Sequence, residues 1–198
     1  GEIVSILTHE SVNEIAMQGL LVENGFPLTF PDEVLEDAAR YPEGIDKQEV
    51  KNRKDMRNVL TMTIDPVDAK DFDDALSLQK LPNGNWEIGI HIADVSHYVK
   101  PLTLLDKEAF ERATSVYLVD RTIPMLPEKL SNGLCSLRPK EDKLCFSVVV
   151  EMNDHAQVLS KWIGKTVIHS DHRFTYENAQ ALIEGAQGRS EEHTSELQ

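Results

Sequence analysis

Apolar and polar positions in the first 60 residues follow a helical pattern. Residues 11–24 place apolar side chains three or four positions apart, which predicts a helix. Ser11 and Glu14 form a capping-box pattern at its start. A second short helix is predicted after Pro31, where an acidic first turn suits the helix dipole. Residues 41–58 are polar and of mixed charge, so the pattern leaves open whether they form a helix or a linker.

From residue 59 onward the pattern is mainly that of β-strands. Five segments predict strands, four of them rich in β-branched or aromatic residues and ALSLQKL because it precedes the Asn83-Gly84 turn: VLTMTID, ALSLQKL, WEIGIHIADV, LCFSVVVEM and VLSKWIGKTVIHS. Asn83-Gly84 predicts a tight hairpin turn with positive φ angles, and Asn153-Asp154 predicts the turn between the last two strands. Neighbouring strands joined by short turns pair antiparallel.

Two further helices are predicted in this second part of the chain. Residues 103–119 show helical spacing, with Thr103 and Asp106 as a cap pair, and residues 175–184 form the last predicted helix. The predicted fold class is therefore α+β, a mostly antiparallel sheet with flanking helices.

Composition and charge narrow the range of functions. The chain has 198 residues, of which 40% are hydrophobic, enough for one sizeable core. No apolar run reaches the roughly 20 residues that span a bilayer. Cys135 and Cys145 follow no metal-binding pattern and are predicted to be buried thiols of a reducing compartment, so we expect a cytoplasmic protein. The formal net charge of −14 argues against broad electrostatic binding of nucleic acid.

The highest density of acidic side chains lies in TIDPVDAKDFDDAL, residues 63–76. It holds five carboxylates within ten positions: Asp65, Asp68, Asp71, Asp73 and Asp74. Two carboxylates about 5 Å apart repel by roughly 3 kcal/mol at an effective dielectric near 20. A hard cation such as Mg²⁺ or Mn²⁺ would offset that repulsion. A solvated acidic turn, or a nucleotide-sugar site built on the Asp71-Phe72-Asp73 pattern, stays open at this point.

Longer stretches carry a family resemblance. RKDMRNVLTMTIDPVDAKDFDDALSL, HIADVSHYV, LDKEAFERATSVYL, DRTIPMLPEKLSNGLCSLRPKEDKLCFSVVVEM and IHSDHRFTYENAQ resemble the catalytic domain of the ribonuclease II / ribonuclease R family. The resemblance covers about residues 50–185 and is nearest to the family's bacterial ribonuclease R branch. It implies a processive, Mg²⁺-dependent exoribonuclease that degrades single-stranded RNA from the 3′ end to nucleoside 5′-monophosphates, acting as a monomer.

The resemblance also implies roles for single residues. Asp65, Asp71 and Asp74 match positions that hold Mg²⁺, and Asp73 matches the residue most critical to the chemical step. Asp68 falls outside the matched set, and we expect it to be structural. Tyr117 matches the aromatic residue that stacks on the 3′-terminal bases.

Three further groups of residues remain as expectations. Arg121 and Arg138 are candidate phosphate contacts. His91, Asp94 and His97 could suggest a second metal cluster, but in this family that segment mainly builds the sheet. Trp86 and Trp162 are expected in the core.

Three segments are expected from this comparison. Residues 1–50 would be the end of a cold-shock-type domain, beginning with a strand at 1–5, followed by a helical connector. Residues 51–188 would be the N-terminal part of the RNB catalytic domain. Residues 189–198 resemble a translated sequencing adapter and are expected to be non-native. The chain lacks the family's later catalytic segment and S1 domain, so we expect it to be inactive alone. An RNA-binding relative without catalysis is the alternative function.

Overall fold

The computed structural model describes residues 12–119 and 121–185, and they divide into two compact units. One unit contains residues 12–41 and 99–128, and the other contains residues 42–98 and 129–185. The predicted strand at residues 1–5 and the predicted tail at residues 189–198 lie outside the described residues.

The described residues form six α-helices, one π-helix and nine strands. The helices are α1 Val12–Glu23, α2 Asp32–Ala39, α3 Lys47–Lys51, α4 Val95–Tyr98, α5 Leu104–Arg112, α6 Tyr176–Ile183 and the π-helix Lys129–Leu134. The strands are β1 Lys54–Asp55, β2 Thr61–Asp65, β3 Asp74–Lys80, β4 Trp86–Ala93, β5 Val116–Tyr117, β6 Thr122–Ile123, β7 Asp142–Met152, β8 Val158–His169 and β9 His172–Thr175. No helix in the described ranges is long and apolar enough to cross a membrane.

Three predicted helices are confirmed, and their ends follow from local chemistry. Helix α1 is followed by Gly25, whose φ of 78° is the left-handed conformation that ends helices. Helix α2 starts directly after Pro31. Helix α6 is capped by Thr175, whose Oγ1 accepts a hydrogen bond of 3.2 Å from the Asn178 N–H. The segment at 41–58, left open by the sequence, contains the short helix α3 and the strand β1.

The predicted helix over residues 103–119 is too long. Its start is as expected, because the Asp106 N–H donates to Thr103 Oγ1 at 3.3 Å and the Asp106 carboxylate accepts from the Leu102 N–H at 2.7 Å. The helix ends at Arg112, since Ala113 takes a left-handed φ of 61°. The chain then forms the two-stranded sheet β5–β6, in which Tyr117 pairs with Thr122.

The second unit is built on a seven-stranded sheet with the order β1-β8-β7-β4-β3-β2-β9. Its four central pairings are antiparallel, which confirms the predicted class, while the two edge strands β1 and β9 pair parallel to β8 and β2. The β3–β4 turn differs from the predicted two-residue turn. Its residues span from Leu81 to Asn85, whose backbone groups bond at 2.9 Å, and Gly84 rather than Asn83 has a positive φ.

The two faces of the sheet differ in an unusual way. One face is buried and carries small and polar side chains, including Thr61, Thr63, Ser77, His91, Ser147 and Thr166. The opposite face carries large apolar side chains that stay partly exposed, including Leu76, Ile90, Ile92, Phe146 and Ile163. The fully buried apolar residues of this unit include Met56, Leu130, Leu137, Val167 and Ile168.

Buried hydroxyls and one imidazole link four strands on the polar face. His91 Nε2 shares a hydrogen bond of 2.9 Å with Ser77 Oγ, and His91 Nδ1 shares one of 2.7 Å with Ser147 Oγ. Ser147 Oγ shares another of 2.6 Å with Thr166 Oγ1. A Cβ at Gly89 would collide with the Ser77 and His91 side chains, so this position requires glycine. Ser77, His91, Ser147 and Thr166 therefore satisfy one another's hydrogen bonds inside the protein.

Cys135 and Cys145 are buried free thiols, as predicted. Burial raises the pKa of the Cys135 thiol to about 12, so it stays protonated. The tryptophans are less buried than expected: Trp86 is half-buried and Trp162 is 38% exposed, with Lys80 and Lys54 over their respective rings.

Candidate metal centre

The four matched aspartates lie at one end of two neighbouring strands. Asp65 is the last residue of β2, and Asp74 is the first residue of the antiparallel strand β3. Asp71 and Asp73 belong to the loop of residues 66–73 that joins these strands, here called the aspartate loop. The turn from β2 to β3 therefore brings carboxylates separated by up to nine positions to the same end of these two strands, here called the sheet edge.

The carboxylates interact electrostatically. Loss of solvent raises the pKa of Asp73, and the negative charges of Asp71, Asp74 and Asp65 raise it further. Burial likewise raises the pKa of Asp65. The neighbouring Thr63 hydroxyl and the charge of Arg173 lower this pKa, the charges of Asp74 and Asp71 raise it, and the net shift is upward. Each shift disfavours the ionised form, so the edge holds more negative charge than its surroundings stabilise.

Unpartnered oxygen atoms indicate how this charge could be stabilised. Asp65 is 8% exposed, and its Oδ2 atom is buried with no hydrogen-bond partner. Thr63 Oγ1, two residues earlier on the same face of β2, is also buried and unpartnered. Such groups cost about 1–3 kcal/mol each unless a water or ion satisfies them. A hydrated cation at Asp65 would satisfy the carboxylate oxygen.

The described residues do not form a closed set of ligands. No group of three or more His, Cys, Asp or Glu side chains in these ranges is placed to hold a metal ion by itself. Mg²⁺ is usually held by one or two carboxylates together with waters and substrate phosphates, and not by a cage made entirely of protein groups. The chemistry of the residues present fits that open mode of binding.

The aspartate loop is anchored through its backbone. The Phe72 N–H donates to Ser136 Oγ at 3.0 Å, and Ser136 Oγ donates to the Lys70 carbonyl at 2.9 Å. The Phe72 carbonyl accepts from the Leu137 N–H at 2.8 Å, and the Asp73 carbonyl accepts from the Ala93 N–H at 2.9 Å. These bonds fix the second half of the loop without using any carboxylate.

Arg173 contacts both halves of the loop. It lies on β9, paired with Thr63 of β2. Its Nη2 donates to the carbonyls of Pro66 and Val67 at 2.9 and 2.8 Å, and its guanidinium lies 5.0 Å from the centre of the buried Phe72 ring. Neither Arg173 nor Ser136 could be singled out from the sequence, because both are common residue types far from the loop along the chain.

Asp68, which falls outside the matched set, is exposed in a turn of the aspartate loop. The backbone closes this turn, since the Ala69 N–H donates to the Pro66 carbonyl at 3.1 Å. That Asp68 is structural stays a prediction.

The second candidate cluster does not form a metal site in the structure. The His91 ring is bonded to two serines, and Asp94 is paired with Arg53 at 2.7 Å. His97 Nδ1 lies 3.6 Å from Glu49. The three residues therefore serve the sheet and its supporting helices.

The expected RNA contacts lie in different surroundings. Tyr117 is 65% exposed on β5, and in the same unit Arg121 forms a bidentate ion pair with Glu14, through Nη1 to Oε1 at 2.6 Å and through Nη2 to Oε2. In the sheet unit, the Arg138 side chain is 41% exposed and donates to Glu141 at 3.1 Å. Its Nε atom is buried and unpartnered.

Comparison with known proteins places the chain in a family. Residues 53–198 match the RNB domain. Ribonuclease R 1 of Lactococcus lactis subsp. lactis is 48% identical over 164 residues, which cover 83% of this chain and 20% of that protein. A solved structure of Mycoplasma genitalium RNase R in complex with double-stranded RNA has a TM-score of 0.81 at 27% identity, over 89% of this chain and 31% of that one.

The fold alone is shared more widely. Yeast Ssd1, described as a pseudonuclease, has a TM-score of 0.71 at 19% identity, over 89% of this chain and 22% of that one. The chain thus spans about a fifth of the length of the Lactococcus protein. The resemblance found in the motifs is confirmed over most of the chain, which belongs to the RNB domain family.

Proposed function

We propose that this chain supplies the metal-binding half of the active site of a processive, Mg²⁺-dependent 3′→5′ exoribonuclease. The observation that carries the proposal is the meeting of four carboxylates at the ends of β2 and β3, with the buried Asp65 Oδ2 lacking a partner. The substrate would be the 3′ end of single-stranded RNA, and the products nucleoside 5′-monophosphates.

The four carboxylates have different roles in this proposal. Asp65, Asp71 and Asp74 would hold Mg²⁺, and Asp73 would be the residue most critical to the chemical step. When bound, the cation activates water and stabilises the leaving oxygen of a phosphodiester. The backbone bonds of Phe72 and Asp73 keep these side chains at the sheet edge before any ligand arrives.

We propose RNA contacts for Tyr117 and Arg138, and the structure makes such a contact less favourable for Arg121. The exposed ring of Tyr117 is available to stack on a terminal base, which is a sequence-tolerant contact. Arg138 lies next to Leu137, which is bonded to the aspartate loop, and its partly exposed guanidinium suits a phosphate. Arg121 is occupied by Glu14, so a phosphate would have to compete with that carboxylate.

The whole protein in this proposal is longer than the chain. A net charge of −14 repels a phosphate backbone, so the basic surface that draws in RNA would come from other segments. We therefore propose that residues 1–198 are inactive alone. A monomeric, cytoplasmic parent enzyme remains part of the proposal.

The alternative function is RNA binding without catalysis. The fold itself permits it, because Ssd1 shares the fold and is described as a pseudonuclease. The presence of all four aspartates favours catalysis, since binding alone does not need carboxylates whose mutual repulsion is unfavourable.

The experiment uses a longer protein that carries this segment, incubated with single-stranded RNA labelled at either end. In Mg²⁺ the 3′ label should be released at once as a nucleoside 5′-monophosphate, while the 5′ label shortens progressively. Excess EDTA should stop both. Binding without shortening would favour the alternative, and internal cleavage products would contradict the exonuclease proposal.

A further inference from the structure

The carboxylates in and beside the aspartate loop repel one another. Four of them lie within ten positions, where the chain turns from β2 into β3: Asp65, Asp71, Asp73 and Asp74. Without a cation this repulsion favours opening of the loop, and each opened state would have to be re-ordered when the metal binds. Groups outside the loop must therefore hold it closed.

We propose that Arg173, together with Ser136, is a positioning residue that holds the aspartate loop in its metal-binding form before the cation binds. The inference rests on the proposed function, because it assumes that the loop holds Mg²⁺. Neither residue belongs to the acidic motif, and their hydrogen bonds to the loop go to backbone groups.

The contacts of Arg173 span the loop. One nitrogen, Nη2, donates to two successive carbonyls, those of Pro66 and Val67, directly after Asp65. The guanidinium lies over the ring of Phe72, directly before Asp73, with 5.0 Å between its central carbon and the ring centre. Because Phe72 is 6% exposed, the ring provides a fixed surface. One side chain thus ties the first half of the loop to the second.

Ser136 completes the restraint from the other side. Its hydroxyl accepts from the Phe72 N–H and donates to the Lys70 carbonyl, at 3.0 and 2.9 Å. The residue is completely buried, so no water competes for these bonds. Arg173 and Ser136 together engage the backbone at Pro66, Val67, Lys70 and Phe72 and not the aspartate side chains.

Two possible roles of Arg173, as a positive charge and as a restraint on the loop, predict opposite effects of its removal on cation affinity. A binding measurement can therefore distinguish the two roles. If the guanidinium acted only through its positive charge, its removal would make the site more negative and would tighten cation binding. If it acts by holding the loop, its removal should weaken binding despite the added negative charge. Supporting residues around a metal site typically change its affinity or activity 10–100-fold when replaced.

The test uses a longer protein that carries this segment and its variants Arg173→Met, Arg173→Lys and Ser136→Ala. Arg57→Met is the control, because Arg57 pairs with Asp55 and Asp142 and has no contact with the loop. Binding of Mn²⁺ alone is measured by electron paramagnetic resonance of the free ion. Amide hydrogen exchange across residues 66–73 is measured without cation. Far-UV circular dichroism identifies any variant that fails to fold.

We expect Mn²⁺ to bind about 10–100-fold more weakly to Arg173→Met and to Ser136→Ala, and faster exchange within the loop in both. Arg173→Lys should also bind more weakly, since lysine keeps the charge but not the planar surface. The control should match the parent. Unchanged or tighter binding in a folded Arg173→Met protein, with unchanged exchange, would overturn the proposal.

Failure of the proposed function would look different. If the parent itself bound no Mn²⁺ and degraded no RNA, the metal assignment would fail. The exchange measurement would still decide whether the two residues order the loop: faster exchange in the variants would support the restraint, and unchanged exchange would reject it.

Discussion

The Arg53 guanidinium lies 2.7 Å from the Asp94 carboxylate, and the two side chains are 0% and 1% exposed. Arg53 also donates to the carbonyls of Cys145 and Thr166, so it joins β7 and β8 to the end of β4. Burial alone would raise the pKa of Asp94, but the hydrogen bonds from Ser96 and Arg53 outweigh it and lower that pKa. Asp94 is therefore a structural carboxylate, although it stands beside two histidines in the sequence.

We predict that Asp94→Asn destabilises the protein strongly. The amide would remove the buried counter-charge of Arg53 and leave it only the partly exposed Glu49 at 2.6 Å. Breaking a buried ion pair typically costs about 3–5 kcal/mol, and the remaining Glu49 should keep the loss near the lower end. The control is Asp154→Asn, whose ion pair with Lys80 at 3.2 Å is exposed and worth about 0–1 kcal/mol. Urea unfolding of both variants gives the comparison. Equal stability losses in the two would show that the buried pair has no special role.

A second prediction concerns pH and His91. Burial, and then the charge of Lys54, lower the pKa of His91 to about 4, so the folded protein keeps the ring neutral. In the unfolded chain the same ring takes up a proton near pH 6.5. Its contribution to stability is therefore complete above pH 6.5 and is lost as the pH falls towards 4, by up to about 3 kcal/mol.

The measurement is the free energy of unfolding between pH 7 and pH 4. The variant His91→Gln, which keeps hydrogen-bonding groups but does not titrate, should lose less stability over this interval. Parallel curves for the two proteins would show that His91 does not titrate as its buried position requires.

The third prediction concerns Tyr117. We expect Tyr117→Ala, in a longer protein that carries this segment, to lengthen the shortest undegraded RNA without stopping hydrolysis. One aromatic stack contributes about 1–3 kcal/mol per base, enough to retain a short end product but not to determine binding along a strand. Phe110→Ala is the control, because Phe110 is 84% exposed in the same compact unit. An unchanged pattern of end products on a sequencing gel would contradict the stacking role.

The elements that the sequence predicted well are those governed by local chemistry. Thr103 and Asp106 mark the start of α5 because capping involves only a few neighbouring residues. Most of the central strands follow from their β-branched and aromatic residues, while β3, which has none, follows from the Asn83-Gly84 turn after it. The end of α5 was missed because the left-handed conformation of Ala113 leaves no mark in residue type, and helical spacing continued beyond it.

The candidate site could also be predicted only in part. Its carboxylates could be found from the sequence, since their density in residues 65–74 is itself the signal. Arg173 and Ser136 could not, because their contacts depend on the parallel pairing of β9 with β2 and on the packing of residues 136–137 against the loop. The polar buried face of the sheet was also unpredictable, since serine and threonine in a strand are more often exposed.

We propose that the aspartate loop performs the chemistry of RNA hydrolysis. The test compares the rates of hydrolysis after replacement of two carboxylates of this loop. Asp73→Asn and Asp68→Asn are introduced into a longer protein that carries this segment, and degradation of 5′-labelled single-stranded RNA is followed in Mg²⁺ beside its binding affinity. Asp73→Asn should abolish hydrolysis while RNA affinity stays nearly intact, and Asp68→Asn should hydrolyse RNA like the parent. Substantial turnover by Asp73→Asn, or equal losses in both variants, would contradict the claim.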